Sequence, residues 1–208
     1  MKKIKNPLVI VANGKYPTHP IPVELLKNAN YIIACDGGVN NLTINGIIPD
    51  CIIGDLDSIS EINKEKFKSK TIKISDQSEN DLRKAIDYCV ENKIKNISII
   101  AATGKREDHT IGNIFSLMKY SNTNIRIYSD TGMFSCISDN NRIKSFKGQN
   151  ISIFSTDKSI KIESSGLKYN FNKNSINTLF YGTLNESKKE YFNINISHGS
   201  IIIFQTYK

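Results

Sequence analysis

Residues 31–60 read YIIACDGGVNNLTINGIIPDCIIGDLDSIS. Two short apolar runs, YIIAC and CIIG, each stop on an aspartate beside glycine. The second is followed at once by Asp55 and Asp57, one residue apart. Runs this short and this apolar, without polar alternation, suit strands buried on both faces. The same pattern recurs in PLVIVAN (7–13), TIKIS (71–75), NISIIAATG (96–104) and NIRIYS (124–129). Between them lie helical patterns. In NDLRKAIDYCVENK (80–93), Leu82, Ala85, Ile86, Cys89 and Val90 fall on one face at i, i+3, i+4, i+7 and i+8. HTIGNIFSLMKYS (109–121) predicts a further helix. Strands alternating with helices predict a Rossmann-like, three-layer α/β domain with a mostly parallel sheet.

Helical periodicity ends near residue 130. RIKSF (142–146), NISIFS (150–155), SIKIES (159–164), EYFNINIS (190–197) and SIIIFQT (200–206) follow, separated by turn-forming KGQN, STDK and SHGS. This predicts an all-β sandwich. The expected domains are residues 1–130 and 131–208, with the boundary near Ser129–Phe134.

Composition narrows the function. The chain has 208 residues, 39% hydrophobic and 23% charged, long enough for a substantial core. No apolar run reaches the roughly 20 residues of a membrane span. The N-terminal lysines precede an apolar run too short for a signal peptide. The four cysteines, Cys35, Cys51, Cys89 and Cys136, are scattered without a CxxC pair. They read as free thiols in a reducing cytoplasm. The net charge is +8, carried mostly by lysine spread evenly along the chain. No basic block interleaves with aromatics, so neither nucleic acid nor membrane is expected as a partner.

The acids carry the functional argument. Asp36, Asp55, Asp57, Asp81 and Asp108 all follow strands or open helices. In open parallel sheets, ligands bind at the carboxyl ends of the strands. Each acid has a plainer reading: Asp36 as a turn residue, Asp55 and Asp57 as a solvated turn, Asp81 and Asp108 as helix caps. Their common placement favours a cation, and an all-oxygen set suits Mg²⁺. Phosphate-binding features lie beside them: Asn13-Gly14 after the first strand, and Thr103-Gly104 with Lys105 and Arg106 before a helix. No G-x-x-x-x-G-K-[ST] or GxGxxG motif is present. Acids for Mg²⁺ beside phosphate donors imply phosphoryl-type transfer from a nucleoside triphosphate.

In order, ACDGG, IPDCIIGDLDSI, DQSENDLRKAI and ATGKREDHTIGN resemble the motifs of the thiamine pyrophosphokinase family, and GLKYNF and GTLNES extend the likeness to the C-terminal half. The resemblance implies transfer of the diphosphate of ATP to the hydroxyl of thiamine, giving thiamine diphosphate and AMP. It implies a cytoplasmic homodimer with thiamine near its interface, ATP and Mg²⁺ on residues 1–130 and thiamine contacts on 131–208. Its metal ligands map to Asp36, Asp55, Asp57 and Asp81. ATP maps to Asn13, Gly14, Gly37, Gly38, Thr103, Arg106, Asp108 and Asn113, and thiamine to Gln77. Asp57, Asp81 and Arg106 carry the catalytic expectation, with Asp57 and Asp81 both open as proton acceptor. His109 fits the motif as a cap or a ligand contact.

Two positions depart from the family pattern. Asn80 stands where threonine is usual in DQxxTD, and Leu184 stands where serine is usual in SNE. The second puts the C-terminal thiamine contacts in question. There is no tryptophan, so stacking on thiamine falls to Tyr or Phe, with Tyr169 and Tyr181 as candidates. The rival readings are a related diphosphokinase acting on a hydroxymethyl-pterin, a non-catalytic nucleotide or thiamine diphosphate sensor, and a nucleic-acid enzyme.

Overall fold

The computed structural model describes residues 3–208. It divides into two compact units, one of residues up to 116 together with 123–130, the other of residues 117–122 and 131–208.

In the first unit, the chain runs β1 (Leu8–Val11), α1 (Pro20–Lys27), β2 (Tyr31–Cys35), α2 (Gly38–Ile44), β3 (Cys51–Gly54), α3 (Glu61–Lys66), β4 (Thr71–Lys73), α4 (Asp81–Glu91), β5 (Asn96–Ile100), α5 (Glu107–Ser116) and β6 (Asn124–Tyr128). All strand pairings in this unit are parallel, in the order β6-β5-β1-β2-β3-β4. Every residue of β1, β2 and β3 is buried, which is why these runs carry no polar alternation. One cluster on this sheet joins Val9, Val11, Ile32 and Ala34 to Leu26 of α1 and Val39 and Leu42 of α2.

The order of strands reverses between β1 and β5. That is the topological switch point, where the chain ends of an open α/β sheet diverge and leave a crevice. Past the strands, Gly14 N–H donates to Ala101 O at 2.6 Å and Lys15 N–H to Thr103 O at 2.9 Å, so the pairing continues into the loops.

Helix α4 follows its expected apolar face for Leu82, Ala85, Ile86 and Cys89, all buried. Val90 departs from it: at 39% exposure it lies at the rim in the helix's final turn. The expected helix over 109–121 stops at Ser116, and Leu117–Tyr120 tightens into a 3₁₀ turn assigned to the second unit. Helices α1, α2 and α3 have no counterpart in the sequence reading.

The second unit is a pair of antiparallel sheets. One has the order β12 (Asn185–Glu186), β9 (Asn150–Phe154), β14 (Ile201–Thr206), β7 (Gly132–Ile137). The other has β11 (Asn172–Asn174), β10 (Ile162–Ser165), β13 (Tyr191–Ile196), β8 (Asn141–Lys144). Ile151, Ile153, Ile162, Phe192, Ile194, Ile201 and Ile203 form the core of this unit. Strand β13 shows the period of two: Phe192 and Ile194 are buried while Tyr191, Asn193 and Asn195 face water. The 3₁₀ turn packs on β7 and β14.

Candidate active site

The crevice of the first unit is a cavity of about 330 Å³. Asn13 and Gly14 line it from the end of β1, Asp36 from β2, and Asp81 from the first turn of α4. Thr103, Lys105 and Arg106 line it from the β5–α5 loop, with His109 and Asn113 from α5.

Asp36 is 2% exposed and adopts φ +39°, a left-handed conformation that aspartate tolerates better than most residues. Its N–H donates to Ile53 O at 2.9 Å. Ser58 N–H donates to its Oδ2 at 3.1 Å, while its buried Oδ1 has no hydrogen-bond partner. Burial pushes the Asp36 carboxyl above the usual carboxylate range, and Asp81 adds to the push.

The Asp55–Asp57 turn is built around Leu56, whose φ of +73° is rare for a bulky residue. Asp57 N–H donates to Asp55 Oδ1 at 3.3 Å, Gln77 Nε2 to Asp55 Oδ2 at 3.2 Å, and Ser58 Oγ to Asp57 Oδ1 at 2.8 Å. The Gln77 amide is the main reason the Asp55 carboxyl lies below its usual range. Asn40 of α2 braces this loop, donating to Ser58 O and accepting from Ser60 N–H and Asn63 Nδ2. One carboxylate oxygen from each of Asp36, Asp55 and Asp57 lies within 4.8 Å of the others. Three carboxylates this close repel one another unless a cation joins them. The orphaned Asp36 Oδ1 and an all-oxygen donor set fit a hard divalent ion such as Mg²⁺.

Asp81 meets this group across Gly54. A Cβ at residue 54 would stand 2.8 Å from Asp36 Cβ and 3.2 Å from Asp81 Oδ1, so only glycine lets both carboxylates close in. Asp81 also accepts from Lys84 Nζ at 3.0 Å. The cap of α4 is Asn80, not Asp81: Asn80 Oδ1 accepts from Arg83 N–H at 2.9 Å. The Asn80 amide donates to Asn113 Oδ1 at 3.0 Å, and Asn113 Nδ2 donates to Ala102 O at 2.9 Å. This chain of amides ties the start of α4 to the end of β5.

Arg106 and Asp108 form an exposed two-bonded pair at 2.6 and 3.1 Å. The guanidinium holds the Asp108 carboxyl down at about 2. Asp108 therefore stands apart from the acid group and is an ion-pair partner on the α5 side. Gly37 and Gly38 lie beneath the crevice. A Cβ on Gly38 would sit 2.7 Å from Val11 O, and one on Gly37 2.5 Å from the Asn13 side chain, so close packing against the end of β1 accounts for both.

The sequence reading passed over Ser58, Asn40 and Lys84. Only Lys84 carried a signal, its i, i+3 spacing from Asp81. In the second unit, Tyr169, Tyr181 and Leu184 are exposed, Leu184 at 88% with φ +62°. Asn185 Nδ2 donates to Tyr169 O at 2.7 Å and Asn185 Oδ1 accepts from Tyr169 N–H, linking the GLKYNF and GTLNES segments.

Comparison with known proteins adds an independent line. Residues 23–129 match the family described as "Thiamin pyrophosphokinase, catalytic domain", and 132–204 match "Thiamin pyrophosphokinase, substrate-binding domain". A thiamine pyrophosphokinase of Bacillus subtilis is 35% identical over 122 residues, covering 57% of each chain. Thiamin pyrophosphokinase 1 of Caenorhabditis elegans is 31% identical over 106 residues, 47% of this chain and 43% of that one. The aligned part thus spans roughly half the length of these relatives. Among solved structures, thiamine pyrophosphokinase from Bacillus subtilis superposes with a TM-score of 0.82 at 24% identity, covering 97% of this chain and 99% of that one. Thiamin pyrophosphokinase from Candida albicans does so with a TM-score of 0.79 at 21% identity, covering 97% and 89%. At these identities the superpositions establish a shared fold.

Proposed function

The chain belongs to the thiamin pyrophosphokinase family, and from that premise we propose that it transfers the diphosphate of ATP to the hydroxyl of thiamine, yielding thiamine diphosphate and AMP. One observation carries the reading: three carboxylates converge within 4.8 Å beside a cavity whose other wall is basic. An acid wall suits a cation, and a basic wall suits phosphates.

In this reading Asp36, Asp55, Asp57 and Asp81 hold Mg²⁺. The ion, when bound, draws charge from the transferred phosphate and neutralises the charge that develops there. Asn13, Gly14 and Thr103 shape the phosphate end of the cavity. Arg106 moves its fork from Asp108 to the triphosphate, exchanging one set of charge-assisted hydrogen bonds for another. Gly37 and Gly38 let the chain approach ATP closely, and Asn113 fixes the β5–α5 loop that faces it. Gln77, already bonded to Asp55, orients thiamine beside the acid turn. Asp57 or Asp81 accepts the proton of the thiamine hydroxyl.

Residues 1–130 are assigned to ATP and the metal, and 131–208 to the acceptor. The exposed Leu179, Phe180, Tyr181 and Leu184 support self-association as a homodimer, which sedimentation measures. Free thiols at Cys35, Cys51, Cys89 and Cys136 support a cytoplasmic location.

The deciding assay incubates the protein with ATP, Mg²⁺ and thiamine and separates the products. AMP together with thiamine diphosphate is expected. ATP and Mg²⁺ binding without product would move the acceptor to another hydroxymethyl compound such as a pterin. Leu184, exposed and in a left-handed turn, is the observation that favours that second reading.

A further inference from the structure

Among the described residues, Lys84 is the one buried lysine or arginine, at 5% exposure. It is buried on α4 although its position lies off the face that carries Leu82, Ala85, Ile86 and Cys89. Its Nζ lies 3.0 Å from Asp81 Oδ1, and its charge also acts on Asp55 and Asp76. Asp81 lines the cavity, while Lys84 does not.

Burying an ammonium is costly; exchanging a whole buried ion pair for apolar residues is often no loss, and Asp81, 28% exposed at its side chain, keeps access to water when its partner is removed. A methionine of similar length would fill the same space without burying a charge. The cation is therefore explained by what it does to its neighbours. It engages one oxygen of Asp81 from behind and leaves the rest of that carboxylate to the cavity. It also sets a fixed positive charge against an edge that carries Asp36, Asp55 and Asp57.

We propose that Lys84 is a positioning residue: its buried ammonium fixes the Asp81 carboxylate and offsets the charge of the acid group before any divalent cation arrives. The proposal rests on the diphosphate-transfer reading for its kinetic consequence, but not for its effect on cation binding. Lys84 touches no substrate, so its removal acts through Asp81. Loss of a partner that orients a metal ligand typically lowers activity by about 10- to 100-fold.

The test is Lys84→Met, with Lys84→Gln as a second variant that also lacks the charge and retains a polar end. Three quantities are measured: the thermal midpoint, kcat and KM for ATP in AMP formation, and Mn²⁺ affinity of the nucleotide-free protein by paramagnetic resonance. The expected result is an unchanged or raised midpoint, kcat reduced by about 10- to 100-fold, and KM for ATP within about twofold. Mn²⁺ affinity shifts by about fivefold or more, tighter where loss of the like charge dominates and weaker where loss of Asp81 orientation dominates. A kcat within about twofold of the parent overturns the proposal. So does a lowered midpoint with parallel loss of kcat in both variants, which would mark a structural residue. If the parent protein makes no thiamine diphosphate, the functional reading fails alone. The Mn²⁺ titration then decides for Lys84: a shift of about fivefold or more supports the role, and unchanged affinity overturns it.

Discussion

The turn after β3 and the loop after β5 end strands on opposite sides of the switch point of one parallel sheet, yet they treat aspartate in opposite ways. After β3, Asp55 and Asp57 are brought toward a third acid, Asp36, with neutral amides and hydroxyls as partners. After β5, Asp108 is closed off by Arg106 in a two-bonded pair. The first arrangement is electrostatically incomplete and asks for a cation. The second is complete and must open before the guanidinium can serve a phosphate. The difference teaches that an acid at a strand end is informative only together with its partner.

The largest effect is expected from the incomplete turn. Asp55→Asn and Asp57→Asn should each lower Mg²⁺-dependent turnover by about 10²- to 10³-fold, the scale of losing one preorganised charge contact. Full activity in both would remove the metal assignment and with it the contrast between the loops. Arg106→Ala is expected to raise KM for ATP by about tenfold, since charge-assisted hydrogen bonds contribute roughly 1.5–3 kcal/mol each. Asp108→Asn should leave KM for ATP unchanged or lower it, because the guanidinium is released. Steady-state kinetics on the pair separates these outcomes.

Gly14→Ala tests the wall that joins the end of β1 to the loop after β5. Its Cβ would meet Ala101 O at 2.4 Å and Thr103 O at 2.6 Å, both backbone atoms that cannot swing aside. A loss of about 1–3 kcal/mol is expected, read as a lowered thermal midpoint. The smallest effect lies in pH. Asp108 is held at about 2, below its ordinary value. The pair's contribution is therefore present above the ordinary carboxylate range and is lost only as pH falls through about 2. Carboxyl carbon shifts of Asp108 should stay flat from neutral pH down to the usual aspartate range. Titration in that usual range would show that the pair does not form in solution.

Much of this was legible from the residues. YIIAC and CIIG are continuous apolar runs because both faces of β2 and β3 are covered, and that demand leaves no room for polar alternation. Phe192 and Ile194 alternate with polar neighbours because one face of β13 meets solvent. Helices α1, α2 and α3 were not legible. They have eight, seven and six residues, too few for a periodic stripe to emerge, and α1 begins Pro-Ile-Pro. Strand β7, GMFSCI, is mostly half-buried along its length and so lacks a clean alternation. At the site, acids at strand ends could be read because their types and spacing are themselves the signal. Lys84 could be read only as an i, i+3 partner of Asp81; its burial could not, since a lysine within a helix usually reaches solvent and only packing reveals that it does not. The Asn80–Asn113–Ala102 chain was hidden for a related reason: its members are 33 and 11 residues apart.

The backbone bonds from Gly14 to Ala101 and from Lys15 to Thr103 have a consequence for how a ligand is received. They turn what would otherwise be two free loop ends into a short extension of the sheet. The conformational entropy of that segment is surrendered when the protein folds, so it is not surrendered again on binding. One wall of the cavity is preorganised, and adaptation to the arriving ligand falls to the exposed side chains that follow it in the loop, Arg106 first among them.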